Sequence, residues 1–167
     1  DYAFNVAVED EEIVTKLTND YFSSPNSKAE GVTVFLLENH FKDSSNNASH
    51  TIVFTGTLDA MGMQYSQGDN LSWDLFLTKL NRYTKSFSSA AGRSLISFGV
   101  AGSYPVQNVY ILKVKDGQKF AAAWENYQAE VNPDERRVSF GQISLGRSPN
   151  GETHYVSSEV NSFKDAM

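Results

Sequence analysis

The hydrophobic pattern of residues 109–145 predicts a strand, a helix and a second strand. Apolar and polar residues alternate over Val109–Lys115 and again over Arg137–Leu145, with the two-residue period of a strand that has one covered face. Between them lies a predicted helix, Gln118–Val131, and an Asp-Gly turn precedes it. The apolar face of this helix is expected to contain Phe120, Ala123, Trp124 and Tyr127.

The same order of elements occurs near the N-terminus, at a constant spacing of 106 positions. The corresponding pairs are Val8 and Val114, Asp10 and Asp116, Val14 and Phe120, Tyr21 and Tyr127, and Val32 and Val138. The second hairpin loop is two residues shorter, so the spacing falls to 104 and His50 corresponds to His154. The chain therefore has the pattern of one unit used twice.

The first unit is predicted to have two helices and four strands. Strands are expected at Tyr2–Val8, Gly31–Asn39, His50–Leu58 and Arg93–Gly99, with a first helix around Ile13–Tyr21. The strongest helix is expected after the candidate caps Asp69 and Ser72. Its apolar residues are Trp73, Phe76, Leu77, Leu80, Tyr83 and Phe87. We interpret these aromatic residues as core packing rather than a cofactor site, because a helix that packs on a sheet needs this spacing.

The predicted fold class is α+β, with tandem ferredoxin-like β-α-β-β-α-β units. Residues 1–102 form the first unit, and residues 103–167 form a second unit that repeats only the first four elements. Residues 163–167 resemble the start of a second helix. We therefore expect another chain or a tail to cover apolar sheet surface in the second unit, which suggests a homo-oligomer.

Two such units in tandem resemble the dimeric α/β-barrel superfamily. The resemblance implies that the antiparallel sheets of the two units pack face to face and enclose a pocket. The superfamily includes cofactor-independent monooxygenases, haem-degrading enzymes and muconolactone isomerases, so it does not select one reaction. Haem-degrading members use an Asn, a Trp and a His, but Asn5, Trp73 and His50 do not form a matching motif here. No cofactor is therefore expected.

Composition and charge limit the partners of this 167-residue chain. Hydrophobic residues make up 40% of the sequence and the formal net charge is −6, which is typical of a globular domain without affinity for nucleic acids or anionic membranes. Cysteine is absent, which excludes disulfides and thiolate chemistry. The chain starts with Asp1, so we expect a soluble protein that is either cytoplasmic or exported after removal of a leader.

Strand alternation selects the candidate site residues. Thr55 and Thr57 share one face of the third strand, and Tyr155, Ser157 and Glu159 share the matching face of its counterpart. Hydroxyls, a phenol and a carboxylate would line a polar pocket between the two sheets and bind a small organic ligand. Glu159 and Tyr155 are the candidates for catalytic proton transfer. The alternative for Glu159 is an exposed residue or a paired structural acid.

The two equivalent histidines, His50 and His154, begin the third strand of each unit and are further candidates for ligand binding. We expect no metal site there, since no nearby carboxylate spacing supplies a third ligand. Sequence signatures of hydrolases, nucleotide-binding proteins and zinc proteases are absent.

Two classes of function remain. The first is a small-molecule-binding protein similar to the α/β-barrel superfamily, with enzymatic activity of the monooxygenase or isomerase kind undecided. The second is a structural or assembly protein that uses its sheet faces for oligomerisation. A ligand-sized void would favour the first class, and close packing without a void would favour the second.

Overall fold

The computed structural model describes residues 2–25, 27–41, 47–66, 70–132, 136–146 and 150–167. Within these ranges the protein is α+β, with seven strands and five helices. The chain divides into two compact units, Asp1–Ser89 and Ala90–Met167, and one long strand contributes residues to both. Each unit is described separately below.

The first unit contains three helices and four strands, the last of which continues into the second unit. In chain order they are β1 (Tyr2–Val8), α1 (Glu11–Phe22), β2 (Thr33–Glu38), β3 (His50–Thr55), α2 (Leu58–Ser66), α3 (Leu71–Leu80) and β4 (Thr84–Phe98). Its strands lie in the order β2-β3-β1-β4, and β3 is antiparallel to both β2 and β1.

The core of the first unit lies between this sheet and its helices. Burial alternates along β3, where Ile52 and Phe54 are buried while Thr51, Val53 and Thr55 are only half-buried. The two apolar residues pack in one cluster with residues of all three helices: Val14 of α1, Ala60 and Met61 of α2, and Phe76 and Leu80 of α3. The opposite face of β3 therefore faces away from the helices.

The second unit contains the rest of β4 and five further elements. These are β5 (Val106–Leu112), α4 (Gly117–Val131), β6 (Val138–Leu145), β7 (His154–Val160) and α5 (Phe163–Ala166). The strand order is β4-β6-β7-β5, and each neighbouring pair is antiparallel. Trp124 of α4 packs on Val138 and Phe140 of β6 to form the centre of this core.

Both units start their first helix with the same side chain in the same role. Asp10 accepts a hydrogen bond from the backbone N–H of Ile13 at 3.0 Å, and Asp116 accepts one from Lys119 at 3.1 Å. Each aspartate therefore satisfies a backbone donor that the helix itself leaves unpaired.

Most predicted elements lie within about three residues of their observed bounds, but the predicted helix through Phe87 is wrong. Helix α3 ends at Leu80, and β4 starts at Thr84 rather than at Arg93. Thr84 and the serines that follow it have low helix propensity, and a turn at residues 81–83 separates them from the helix. Asn70 caps α3, whereas the predicted cap Asp69 lies outside the described residues.

The third strand also ends earlier than predicted. Leu58 starts α2 and is 78% exposed, so it does not belong to the packed face of β3. Thr57 precedes this helix, and its hydroxyl accepts a hydrogen bond from the N–H of Ala60 at 3.2 Å. Gly56 passes so close to Gly31 that a Cβ atom would lie 2.8 Å from the Gly31 carbonyl oxygen. This close approach explains why a glycine stands at the end of the strand.

The packed face of α4 differs in part from the prediction. Phe120 and Trp124 contact the core, but Ala123 is exposed and Tyr127 is 58% exposed. Gln128 is buried instead. The prediction places the boundary between the units after residue 102. The compact units instead divide within β4, between Ser89 and Ala90.

No helix in the described ranges is long and apolar enough to cross a membrane.

Candidate functional site

A cavity of about 280 Å³ lies between the sheet and the helices of the first unit. Its sheet side is formed by β1, β3 and β4, and its other walls come from α1, α2, α3 and the residues next to α3. The lining residues are Phe4, Val6, Tyr21, Ile52, Phe54, Gln64, Tyr65, Asn70, Trp73, Phe76, Leu77, Leu80, Asn81, Thr84 and Ser86. Six of these fifteen side chains are aromatic.

The aromatic walls are held by contacts among the rings themselves. Tyr21 of α1 stacks on Phe76 of α3, with ring centroids 4.4 Å apart and an interplanar angle of 15°. Trp73 lies 5.5 Å from the same phenylalanine. On the sheet side, Phe4 and Phe54 meet edge to face at 5.9 Å. These geometries are favourable for ring pairs, so the rings hold one another in place.

The polar groups of the cavity are amides and hydroxyls. The side-chain oxygen of Asn70 accepts hydrogen bonds from the N–H groups of Ser72 and Trp73 at 3.1 and 3.3 Å. The side-chain oxygen of Gln64 accepts one from the N–H of Ala29 at 2.7 Å. Both side-chain oxygens are therefore bonded to backbone groups of the protein. The amide nitrogens of the same side chains are suited to donate hydrogen bonds to a ligand.

None of the described residues that line this cavity carries a formal charge at neutral pH. The ionisable lining groups are two phenols. Burial raises the pKa of Tyr21, and burial together with the neighbouring Tyr2 raises the pKa of Tyr65. Both phenols therefore stay protonated and can donate hydrogen bonds.

A second, wider depression lies on the second unit where β5 leads into α4. It is open to solvent and lined by Lys113, Lys115 and Lys119 together with Asp116 and apolar neighbours. Asp116 caps α4 and its carboxylate lies 3.6 Å from the Lys119 ammonium. An open surface of this kind removes little of a ligand from water, so the deeper cavity of the first unit, which is less open to solvent, is the better candidate site.

The predicted catalytic residue Glu159 is buried, with only 6% of its surface exposed. Its two carboxylate oxygens accept hydrogen bonds from the backbone N–H groups of Gly102 at 2.9 Å and Tyr104 at 3.4 Å. These contacts attach the turn between β4 and β5 to strand β7. They favour a structural role for the carboxylate, and its catalytic role stays a prediction.

Tyr155 and Ser157 share the face of β7 that points away from α4, in keeping with the predicted alternation. Ser157 lies opposite Ser139 of β6. The Ser139 hydroxyl lies 2.7 Å from that of Ser94 and 3.3 Å from that of Ser97. Burial raises the pKa of Tyr155, while a hydrogen bond with Ser139 and the charge of Arg137 lower it in part. The polar pocket that these residues were expected to line stays a prediction.

The two predicted threonines lie in different settings. Thr55 is on the face of β3 that points away from the helices, as expected, and is half-buried. Thr57 is outside the strand, where its hydroxyl accepts a hydrogen bond at the start of α2. Its predicted place on the same strand face is therefore wrong.

His50 and His154 are both buried and make the same local contact. Ser49 Oγ lies 2.9 Å from His50 Nδ1 and accepts a hydrogen bond from the N–H of Val8 at 2.9 Å. In the second unit, Thr153 Oγ1 lies 2.7 Å from His154 Nδ1 and accepts a hydrogen bond from the N–H of Val114 at 3.2 Å. The first pair therefore connects the start of β3 to Val8 at the end of β1. The second pair connects the start of β7 to Val114, just beyond the end of β5. In the described part of the chain, no three His, Asp or Glu side chains form a group suited to a metal ion.

The spacing of the aromatic residues of α3 predicts core packing and does not reveal the cavity. That prediction holds for Phe76 and Leu80, which are buried, but Trp73 and Leu77 also line an open space. The available signal was the number of aromatic residues among the predicted apolar positions, because ligand pockets are lined predominantly by hydrophobic and aromatic side chains.

Comparison with known proteins adds no family to these observations. No model of a known protein family matches the chain, and no curated protein matches it.

Proposed function

We propose that this protein binds a small organic molecule in the cavity of its first unit. The observation that supports the proposal is a concave space of about 280 Å³ with six aromatic side chains and several uncharged polar groups in its walls. Ligand sites are typically concave and mostly apolar, with a few polar groups that fix orientation. The aromatic rings of the walls contact one another, which fixes their relative orientation and limits the side-chain entropy lost on binding.

The fluorescence of Trp73 offers a direct test, because this residue lines the cavity. The other tryptophan, Trp124, lies in the core of the second unit. In a Trp124→Phe variant, titration with a panel of bicyclic aromatic compounds is expected to change Trp73 emission and to raise the thermal unfolding midpoint. A Trp73→Phe variant, which retains only Trp124, provides the control for non-specific quenching.

A substitution that fills the cavity makes the test specific. Val6 lines the sheet side, so Val6→Phe should occupy part of the space and weaken binding. Val100→Phe is the control for the added ring, since Val100 is a valine of the second unit that is 75% exposed and lies outside both the cavity and β5. The proposal is wrong if no compound binds, or if binding is equally strong in the Val6→Phe variant.

We also propose that the two units are tandem ferredoxin-like copies of one ancestral unit, as in the dimeric α/β-barrel superfamily. Three observations support this: the order β2-β3-β1 matches β6-β7-β5, an aspartate caps the first helix of each unit, and the Ser/Thr-His contact occurs in both. An experimental structure in which residues 108–162 do not superpose on residues 2–58 would contradict the duplication.

Catalysis by Glu159 and Tyr155, of the cofactor-independent monooxygenase or isomerase kind, has less support than binding. The Glu159 carboxylate already accepts two backbone hydrogen bonds, and the raised pKa of Tyr155 keeps its phenol protonated at neutral pH. A base must be able to take up a proton from its substrate. We therefore limit the proposed function to binding.

Assembly is the second candidate function, and strand β5 favours it. Three consecutive residues of this strand, Val109, Tyr110 and Ile111, are 50%, 59% and 50% exposed. Among the described strands, β5 pairs only with β7 and ends the strand order of the second unit. An exposed apolar edge strand is a template for pairing, and we propose antiparallel pairing with β5 of a second copy.

Sedimentation velocity tests the assembly. The wild type is expected to form a dimer that Val109→Lys disrupts, because a lysine on the edge opposes pairing. Leu58→Lys, at a residue of the first unit that is 78% exposed, should leave the dimer intact. A wild-type protein that stays monomeric at its highest soluble concentration would exclude this function.

A further inference from the structure

The volume of the cavity suits a ligand portion of about two fused rings. Its volume is about 280 Å³. An apolar cavity of roughly 150 Å³ in a protein core accommodates one benzene molecule. The space in the first unit is therefore slightly less than twice that needed for one ring, which suits a bicyclic molecule with one small substituent.

The arrangement of the rings favours a planar ligand. Tyr21, Trp73 and Phe76 lie on the helix side, and Phe4 and Phe54 lie on the sheet side. A flat aromatic ligand between these two groups can make stacked or edge-to-face contacts with both. A saturated ring system of the same size is thicker and has no π face, so it makes only dispersion contacts.

The charges of the lining residues oppose an ionic ligand. The described lining residues provide only neutral side chains at physiological pH, since the phenols of Tyr21 and Tyr65 are protonated. A carboxylate or ammonium group that enters this space would lose its hydration without gaining a partner of opposite charge. A neutral ligand avoids this cost.

The amides of Asn70 and Gln64 and the two phenols favour a hydrogen-bond acceptor on the ligand. The side-chain oxygens of Asn70 and Gln64 are already bonded to backbone N–H groups of the protein. The Thr84 hydroxyl donates to the carbonyl of Leu80 at 3.0 Å. The amide nitrogens and phenols are therefore the principal donors for a bound molecule.

We infer that this cavity binds an uncharged bicyclic aromatic molecule that carries a carbonyl, ether or ring-nitrogen acceptor at one end. This inference rests on the proposed binding function and adds the chemical class of the ligand. The aromatic rings favour a planar ligand, and the described lining residues, which offer no ionic partner, favour a neutral one. Asn70 contributes to recognition of the hydrogen-bond acceptor on the ligand.

A set of isosteric naphthalene probes tests each part of the inference with the full chain. 2-Acetylnaphthalene is neutral and carries a carbonyl acceptor. 2-Naphthoate and 1-(2-naphthyl)ethylammonium have the same shape with a negative and a positive charge. 2-Isopropenylnaphthalene removes the acceptor, and 2-acetyldecahydronaphthalene removes the aromaticity. We expect 2-acetylnaphthalene to bind at least about tenfold more tightly than either ion, because the described lining residues offer neither ion a partner of opposite charge.

The variant Asn70→Ser isolates the recognition of the acceptor. Serine and asparagine are comparable helix caps, so α3 should keep its start while the amide nitrogen is lost. Affinity for 2-acetylnaphthalene should fall by about three- to tenfold, as for the loss of one hydrogen bond, with little change for 2-isopropenylnaphthalene. Circular dichroism checks that the helix content is preserved.

The outcomes separate the ligand class from the binding function. If none of the probes binds, or if Val6→Phe does not weaken binding, the proposed function fails. If either ion or the saturated analogue binds as tightly as 2-acetylnaphthalene, binding stands but the inferred ligand class is wrong. Equal affinities of the acetyl and isopropenyl probes, with no effect of Asn70→Ser, would overturn the role of the acceptor.

Discussion

Glu159 connects a turn of the second unit to strand β7 through two charge-assisted hydrogen bonds. In Glu159→Gln, the side-chain nitrogen replaces one acceptor and faces a backbone donor. We expect the free energy of unfolding to fall by about 1–3 kcal/mol, the cost of a buried donor without a partner. Urea denaturation measures this change.

Glu125→Gln, at an exposed residue of α4, is the control and should lower the free energy of unfolding by less than about 0.5 kcal/mol. A stable Glu159→Gln protein with altered ligand binding would instead support the catalytic role.

Tyr155 should give the second unit a stability that depends on pH. Burial raises the pKa of its phenol above the usual value of 10.0, so the folded state holds this proton more tightly than the unfolded state. The stabilisation is complete below pH 10 and is lost as pH rises through the folded-state pKa. Between about pH 9 and about pH 11, Tyr155→Phe should therefore lose less stability than the wild type.

The same substitution removes the hydrogen bond to Ser139, so Tyr155→Phe should also be less stable by about 1 kcal/mol at neutral pH. Tyr110→Phe is the control, because the Tyr110 side chain is 59% exposed. Urea denaturation at each pH gives both effects. If the free energy of unfolding changes with pH in the same way in Tyr155→Phe and the wild type, the Tyr155 phenol is not the cause of the pH dependence.

At the residue scale, the sequence predicted which side chains share a strand face but not what they contact. The two-residue period correctly placed Tyr155, Ser157 and Glu159 together on β7. The hydrogen-bond partners of Glu159 lie 57 and 55 positions away in the chain. No local pattern reveals them, because they depend on the path of a turn with left-handed glycines at positions 99 and 102.

At the scale of paired elements, strands β6 and β7 depend on a glycine below an aromatic ring. Gly141 lies opposite Tyr155, and a Cβ atom at this position would be 2.2 Å from Tyr155 Cζ. Gly141→Ala should therefore displace the ring and lower the free energy of unfolding by about 1–3 kcal/mol. In a Tyr155→Ala background the added methyl group meets no ring, so most of this cost should disappear.

A helical glycine provides the control for this prediction. A Cβ atom added to Gly62 of α2 would have no atom within 4 Å beyond its own stretch of helix, so Gly62→Ala should stabilise the protein by about 0.5–1 kcal/mol. A double-mutant cycle measures the coupling between the two positions. It compares the free energies of unfolding of the wild type, Gly141→Ala, Tyr155→Ala and the double variant. Equal costs of Gly141→Ala with and without the tyrosine ring would show that the strain comes from the strand backbone.

Helix α3 shows how far periodicity could predict the elements. Its apolar spacing correctly indicated a helix from Trp73 to Leu80, but the same spacing continues by coincidence to Tyr83 and Phe87. The helix stops because a turn follows Leu80 and a β-branched residue starts β4. The cavity was beyond prediction for a different reason, since periodicity identifies the buried face of a helix but not whether its side chains fill the space.

At the scale of the whole molecule, the order of elements was more predictable than the boundaries of the units. The α+β class and the repeated strand-helix-strand-strand order follow from patterns within single segments. The division of the chain within β4 does not, because a long strand that serves two units has the same local pattern as two separate strands. Strand order is also set by tertiary contacts, which no local pattern of the sequence reveals.

The two units should unfold at different denaturant concentrations. Among the described residues, the core of the first unit contains nine buried hydrophobic residues and that of the second contains three, each from its own unit. A larger buried apolar core contributes more stability, so we expect the second unit to unfold first.

Trp73→Phe leaves Trp124 to report on an unaltered second unit, and Trp124→Phe leaves Trp73 to report on an unaltered first unit. Urea titration of both variants should give a lower midpoint for Trp124 emission, and adding Phe140→Leu should lower that midpoint with little effect on the Trp73 transition. Coincident midpoints that shift together would show instead that β4 joins the two cores into one cooperative unit.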